Sequence, residues 1–279
     1  GSGWLFIKLG LSSFPPFLFS GARGALAGLL LLGLARLSGE ERVGWAHVRP
    51  MLAIGLLMTG VSNGLVYWGQ QHVSSSVAAL VWCGMPFFTA AFSHIVLPEH
   101  RMNAWQLIGL VIGFAGVWLV LSSHPVDLSA GANEGKLAIV VGSIIWAFGL
   151  VISKRLLPPV PDATSTGIQL AAGAILLLPL GMLTENAASI SITPLSVFVF
   201  LMMLLGQGCI AYLCYYYLIA RVSPTQVALL SFVTPTIAVI LGVLLLGEPV
   251  SWQLLAGLVA VGAGILAVNI LGQWEHVTS

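Results

Sequence analysis

Charge is what this sequence has least of. Asp, Glu, Lys and Arg make up 7% of its 279 residues, against 58% hydrophobic residues, and mean hydropathy is +1.01. A soluble chain of that composition would lack the polar surface to cover its core, so an ordinary globular protein is excluded. With a net charge of +1 and no basic cluster, nothing points to nucleic acid. The cysteines Cys83, Cys209 and Cys214 lie in apolar runs without a CxxC pair, and read as small packing residues. GxxxxGK[ST], HExxH and a serine elbow are all missing, which argues against ATP-driven pumping and against an embedded hydrolase. No cofactor or metal is expected.

Acids are missing from one place in particular. Glu40, Glu41, Glu99, Asp127, Glu134, Asp162, Glu185, Glu248 and Glu275 all map to connections or termini. No apolar span holds a carboxylate to carry protons, and His94 is the intramembrane group that titrates near neutral pH. Obligatory proton coupling is therefore not expected.

What is present is apolar length. A span needs roughly 20 apolar residues, and the chain divides at 1–11, 17–37, 51–71, 75–97, 103–121, 137–156, 164–183, 195–219, 225–246 and 252–271. The chain opens on GSGWLFIKLG, so residue 1 is expected to lie inside a first helix whose opening half is missing. Breakers mark the turns: SSFPP at 12–16, LPEH at 97–100, LPP at 157–159 and GEP at 247–249. Gly24-x-x-x-Gly28, Gly60-x-x-x-Gly64 and Gly109-x-x-x-Gly113 supply faces for close helix approach.

The chain also repeats itself. A shift of 146 sets Gly3, Lys8, Pro15 and Gly21 on Gly149, Lys154, Pro161 and Gly167. A shift of 149 sets VSSSVAALVWCGMP (73–86) on VSPTQVALLSFVTP (222–235), and Leu97 and Glu99 on Leu246 and Glu248. Five spans per unit force the second unit to insert upside down, the build of an alternating-access carrier. The expected organisation is all-α and integral to the membrane, with ten transmembrane helices. Residues 1–122 form one five-helix repeat, 123–135 a linker, 136–272 the inverted repeat and 273–279 a tail. Arg36, Arg42, Arg49, Arg101, Lys154, Arg155 and Arg221 fall on one side and Lys136 on the other, which places both termini in the cytoplasm.

Candidate site residues follow from the repeat. Pro86 and Pro235 are equivalent and would free the carbonyls of Trp82 and Ser231 near mid-membrane, bending their helices around a cavity. Aromatics gather near these bends: Trp82, Trp146, Phe148, Tyr67, Trp68 and Tyr212, with Tyr215 to Tyr217 beyond. Trp45, Trp105, Trp252 and Trp274 read as interface anchors. The mid-span polar residues Thr59, Ser62, Asn63, Gln169, Gln207, Ser231 and Thr234 would bind a zwitterion's polar end or bond neighbouring helices. Lys8 and Arg23 are charges in or just inside spans, where snorkelling competes with a role in the pathway. His94 competes in the same way with a packing role.

Together these residues resemble the drug/metabolite transporter superfamily, and within it the EamA type. The resemblance rests on GSGWLFIK (1–8), WAFGLVISK (146–154), Arg23, and the two VSxxxVALL-like segments that lead to LPE and LGEP. It covers both repeats. It implies two inverted five-helix bundles and a pathway lined by spans one, three, four, six, eight and nine. It also implies metabolite export across a bacterial inner membrane, most like exporters of aromatic amino acids of the YddG kind, working as a monomer on a small-molecule substrate within the lipid bilayer. The departure is LPEH in place of GEP in the first repeat. A broad-specificity drug or metabolite efflux carrier is the alternative within transport, and an embedded enzyme or a sensor the alternatives outside it.

Overall fold

The computed structural model describes residues 2–40, 43–96, 104–122, 131–156, 162–211, 214, 234, 237–248 and 250–267, with no strand among them. The helices in chain order are α1 (Ser2–Leu11), α2 (Pro16–Leu37), α3 (Trp45–Gly55), α4 (Asn63–His72), α5 (Ser75–Trp82), α6 (Met85–Val96), α7 (Ala104–Ser122), α8 (Ala132–Leu156), α9 (Asp162–Thr184), α10 (Pro194–Leu201), α11 (Ile237–Leu246) and α12 (Trp252–Leu266). Six stretches are long and apolar enough to cross a membrane: Pro16–Leu37, Trp45–His72, Ser75–Val96, Ala132–Ser153, Ala163–Thr184 and Pro194–Ala211. Four shorter apolar helices accompany them: Ser2–Leu11, Leu107–Val120, Ile237–Leu246 and Trp252–Gly264.

Local chemistry starts and stops these helices. Pro16 opens α2, where its missing N–H is not needed. Ser74 caps α5 by accepting from Val77 N, and Thr193 exchanges bonds with Ser196 in a capping box at α10. At the end of α2, Gly39 adopts a φ of 73°, and Glu40 N reaches back to Ala35 O at 3.0 Å. α8 begins at Ala132, inside the stretch expected to be linker, so Glu134 stands in a helix's first turn, where the dipole favours it.

Two features depart from simple spans. Leu56–Ser62, between α3 and α4, and Met202–Ala211, after α10, are π-helical. These stretches overlap when one repeat is shifted onto the other. The stretch Ser75–Val96 is interrupted at Cys83 and Gly84, which form a turn between α5 and α6.

α2 and α9, equivalent at the 146 shift, pack antiparallel through small residues. Gly21 lies against Leu178, and Gly28 against Gly167 and Ala171. Each helix is capped by an acid that follows the other. Glu185, just past α9, accepts from Phe17 N at 2.8 Å and Leu18 N at 2.9 Å at the start of α2. Glu40, just past α2, accepts from Thr164 N at 3.2 Å and Thr164 Oγ1 at 2.5 Å at the start of α9. α7 and α12 also run antiparallel, and a Cβ on Gly264 would lie 2.7 Å from Gly109 O.

A third acid closes a longer loop. Glu248 accepts from Ser75 N at 2.6 Å, Ser75 Oγ at 2.7 Å, Ser76 N at 3.0 Å and Ser76 Oγ at 2.5 Å, holding the orphan N–H groups of α5. Ser191 N donates to Ser13 O at 2.9 Å. The turns near residues 12–16, 73–75, 185–191 and 247–248 therefore share one end of the bundle.

Candidate functional site

Three indoles from three helices meet inside the described bundle. Trp4 of α1 and Trp82 of α5 have ring centroids 5.7 Å apart, and Trp82 and Trp146 of α8 are likewise 5.7 Å apart, edge to face. All three are half-buried. The structure thus brings together Trp82 and Trp146, as expected, and adds Trp4. A clue to Trp4 exists in the sequence: it lies four residues before Lys8, on the same helix face.

Polar contacts fix that helix. Gln70 Nε2 donates to Trp4 O at 2.6 Å. The Lys8 ammonium donates to Val73 O at 2.7 Å, Gln70 O at 3.2 Å and Gln71 O at 3.4 Å, at the C-terminal end of α4. A cation there meets both the unsatisfied carbonyls and the negative end of the dipole. Lys8 turns to α4 instead of snorkelling.

Trp82 is the last residue of α5, and the break at Cys83 and Gly84 follows it. Pro86 is the second residue of α6, where a missing N–H costs little. The bend therefore sits ahead of the proline and carries Trp82 at its edge. Pro235, Ser231 and Tyr212 lie outside the described residues; Thr234 is half-buried. His94 is exposed near the end of α6.

Behind the indoles lies a buried aromatic cluster. Tyr67 is 2% exposed and packs with Ile7, Phe19, Val66, Val199 and Met203, with Trp4 and Trp82 at its margin. Arg23, also within the bundle at 3% exposure, stands with its guanidinium 5.8 Å from the Tyr67 ring. Its Nε and Nη1 have no hydrogen-bond partner, and the Tyr67 hydroxyl forms no bond of normal length. Arg23 does not snorkel. Gln207, in the second π-helical stretch, has its Oε1 buried without a partner. Asn63 opens α4 directly after the first such stretch and is half-buried.

Other polar residues tie helices together. Thr59 Oγ1 donates to Gln169 O at 2.5 Å, Ser62 Oγ to Gly142 O at 2.7 Å, and Gln169 Nε2 to Ser165 Oγ at 3.1 Å. Where the turns gather, a cavity of about 510 Å³ is lined by Phe14, Phe17, Trp68, Gln71 and Glu185 among others. Among the described residues no three His, Cys, Asp or Glu side chains come together as a metal site would need.

Apolar helices of membrane-spanning length, closely packed through glycines around a half-open aromatic centre, define a multi-pass helical membrane protein. The EamA-like transporter family matches residues 1–122 and 133–270, and the chain belongs to that family of membrane transporters. It is 34% identical to an uncharacterized inner membrane transporter, YedA, of Escherichia coli strain K12 over 255 residues, 90% of this chain and 80% of that one. It is 26% identical to an uncharacterized transporter, YoaV, of Bacillus subtilis strain 168, covering 95% of this chain and 91% of that one. Protein PecM of Dickeya dadantii is 27% identical over 88% of this chain and 82% of its own length. A solved crystal structure with 20% identity superposes with a TM-score of 0.72 over 98% of this chain and 96% of that one, a likeness of fold.

Proposed function

We propose that this carrier exports neutral hydrophobic or aromatic amino acids and related metabolites across the bacterial inner membrane by alternating access. The observation that carries the reading is the Trp4–Trp82–Trp146 array, three half-buried indoles offering flat faces and edges to an aromatic ligand. Tyr67 backs this surround and Tyr212 extends it. Asn63, Gln207, Ser231 and Thr234 receive the polar end of the substrate. Pro86 and Pro235 set the bends around it.

The scaffold proposed is ten spans in two inverted repeats, residues 1–122 and 136–272, joined by 123–135 and followed by a tail at 273–279. The antiparallel pairing of α2 with α9 and of α7 with α12 supports that inversion, since each pair consists of repeat-equivalent helices. The seven-to-one distribution of Lys and Arg supports cytoplasmic termini. The protein works as a monomer, down the substrate gradient and without obligatory proton coupling.

Replacing Trp146 with Ala tests the site. Facilitated uptake of L-phenylalanine into proteoliposomes is expected to fall about two- to tenfold, the worth of one aromatic contact, and Trp146→Phe to recover most of it. Unchanged uptake in the alanine variant removes the indole from the site. Competition by cationic dyes equal to that by aromatic amino acids would favour a broad efflux carrier instead.

A further inference from the structure

We propose that Arg23 is the carboxylate-binding residue of the substrate site, so that the carrier selects ligands bearing a carboxylate. The inference rests on the reading of the protein as an amino-acid exporter and names the group that reading leaves unassigned.

Lys8, Glu40, Glu185 and Glu248 each have a counterpart: carbonyls at the end of α4 for Lys8, and helix N-termini for the three acids. Arg23 is different. It is 3% exposed, and its Nε and Nη1 have no partner. A guanidinium cannot shed its proton to escape burial, and leaving two of its donor nitrogens unbonded inside a membrane bundle is costly even with the Tyr67 ring beside it. Its fold-equivalent, Gln169, carries an amide bonded to Ser165, so the scaffold does not require a cation at this point.

The neighbours describe an incomplete site. Nη1 faces Gly208, where an added Cβ would lie 3.6 Å away, and the Tyr67 ring lies on another side at 5.8 Å. Gln207 is the next residue along, its Oε1 also buried and unpartnered, and its side chain abuts α1 at Gly3, one residue before Trp4. Residues 207 and 208 thus stand between α1, which carries Trp4, and the Arg23 guanidinium of α2. That arrangement matches an aromatic amino acid group by group. The rings meet the ring, Gln207 Oε1 accepts from the ammonium, and the planar fork of Arg23 donates to both carboxylate oxygens. Entry of the carboxylate requires α1 and the 202–211 stretch to part, which is the motion alternating access supplies.

The test uses the full chain, wild type and Arg23→Gln, the substitution that copies Gln169. Uptake of labelled L-phenylalanine into proteoliposomes is competed with L-phenylalanine, with L-phenylalaninamide (no carboxylate) and with 3-phenylpropionate (no ammonium). Wild type is expected to prefer the amino acid over the amide by about tenfold or more, the scale of a charge-assisted bond. In Arg23→Gln that preference should collapse while the amide competes as before. Arg23→Lys, which keeps charge but loses the fork, should fall between. The thermal midpoint of Arg23→Gln should rise, because an uncompensated buried charge has gone. Retained preference, or equal loss of both ligands with a lowered midpoint, overturns the proposal by making Arg23 a structural residue. If wild type moves no amino acid yet 3-phenylpropionate raises its thermal midpoint only when Arg23 is present, the exporter reading fails and the carboxylate site stands.

Discussion

α2 and α9 are the same helix twice, and they differ where it matters. Both are more than twenty residues long, both meet through glycine, and each has its N-terminus held by an acid that follows the other. Two turns inside, the likeness ends: α2 carries Arg23, buried against the Tyr67 ring with its Nε and Nη1 unbonded, while α9 carries Gln169, bonded to Ser165. The outer frame obeys the pseudo-symmetry because capping and close packing are demands of folding. The interior departs from it at Arg23 and Gln169, as the proposed carboxylate site would require.

That contrast can be broken deliberately. The largest effect is expected from Gln169→Arg, which puts a second charge at a site already packed against Gly55. A loss of about 3 kcal/mol, the cost of an arginine inside a membrane helix, should appear as a lower thermal midpoint and poor monodisperse yield. A variant as stable as wild type would mean that α9 tolerates charge and the asymmetry is incidental. Next come the crossings. A Cβ on Gly28 would lie 2.9 Å from Gly167 O and 3.0 Å from Ala171 N, whereas on Gly167 it would lie 2.8 Å from the movable Leu32 side chain. Both alanine variants should lose about 1–3 kcal/mol, Gly28→Ala more because its obstacles are backbone. Gly33→Ala, with nothing within 4 Å, should lose nothing. The smallest effect sharpens the likeness. Glu40→Gln and Glu185→Gln should each cost about 1 kcal/mol in thermal melts, as caps do, and a clear inequality between them would show the clasp to be one-sided.

Much of the frame was legible because it is written locally. Apolar length, breakers at turns and the glycine faces of α2 and α7 depend on neighbours within one helix. The site was legible in part. Trp82 and Trp146 stood out by depth, but Trp4 lies in a first span only ten residues long, and its repeat position holds Leu150. The inward turn of Arg23 onto Tyr67 was hidden because a charge near a span's end has two outcomes, and only packing across helices decides between them. The partners of the acids were hidden for the same reason. Glu40, Glu185 and Glu248 do sit in connections, yet they grip helices 124 to 173 residues away. The π-helical stretches were not legible because Leu56–Ser62 reads as part of one continuous span, 51–71.

The grip of Glu248 on Ser75 and Ser76 has a consequence in time. The partners are 173 and 172 residues apart, and at about 5–20 residues per second the acid emerges roughly 10–35 s after the serines. For most of its synthesis the chain therefore holds α5 with its first N–H groups unanswered by that carboxylate. The N-terminal cap of α5, a helix of the first repeat, thus waits for a residue that follows α11 of the second.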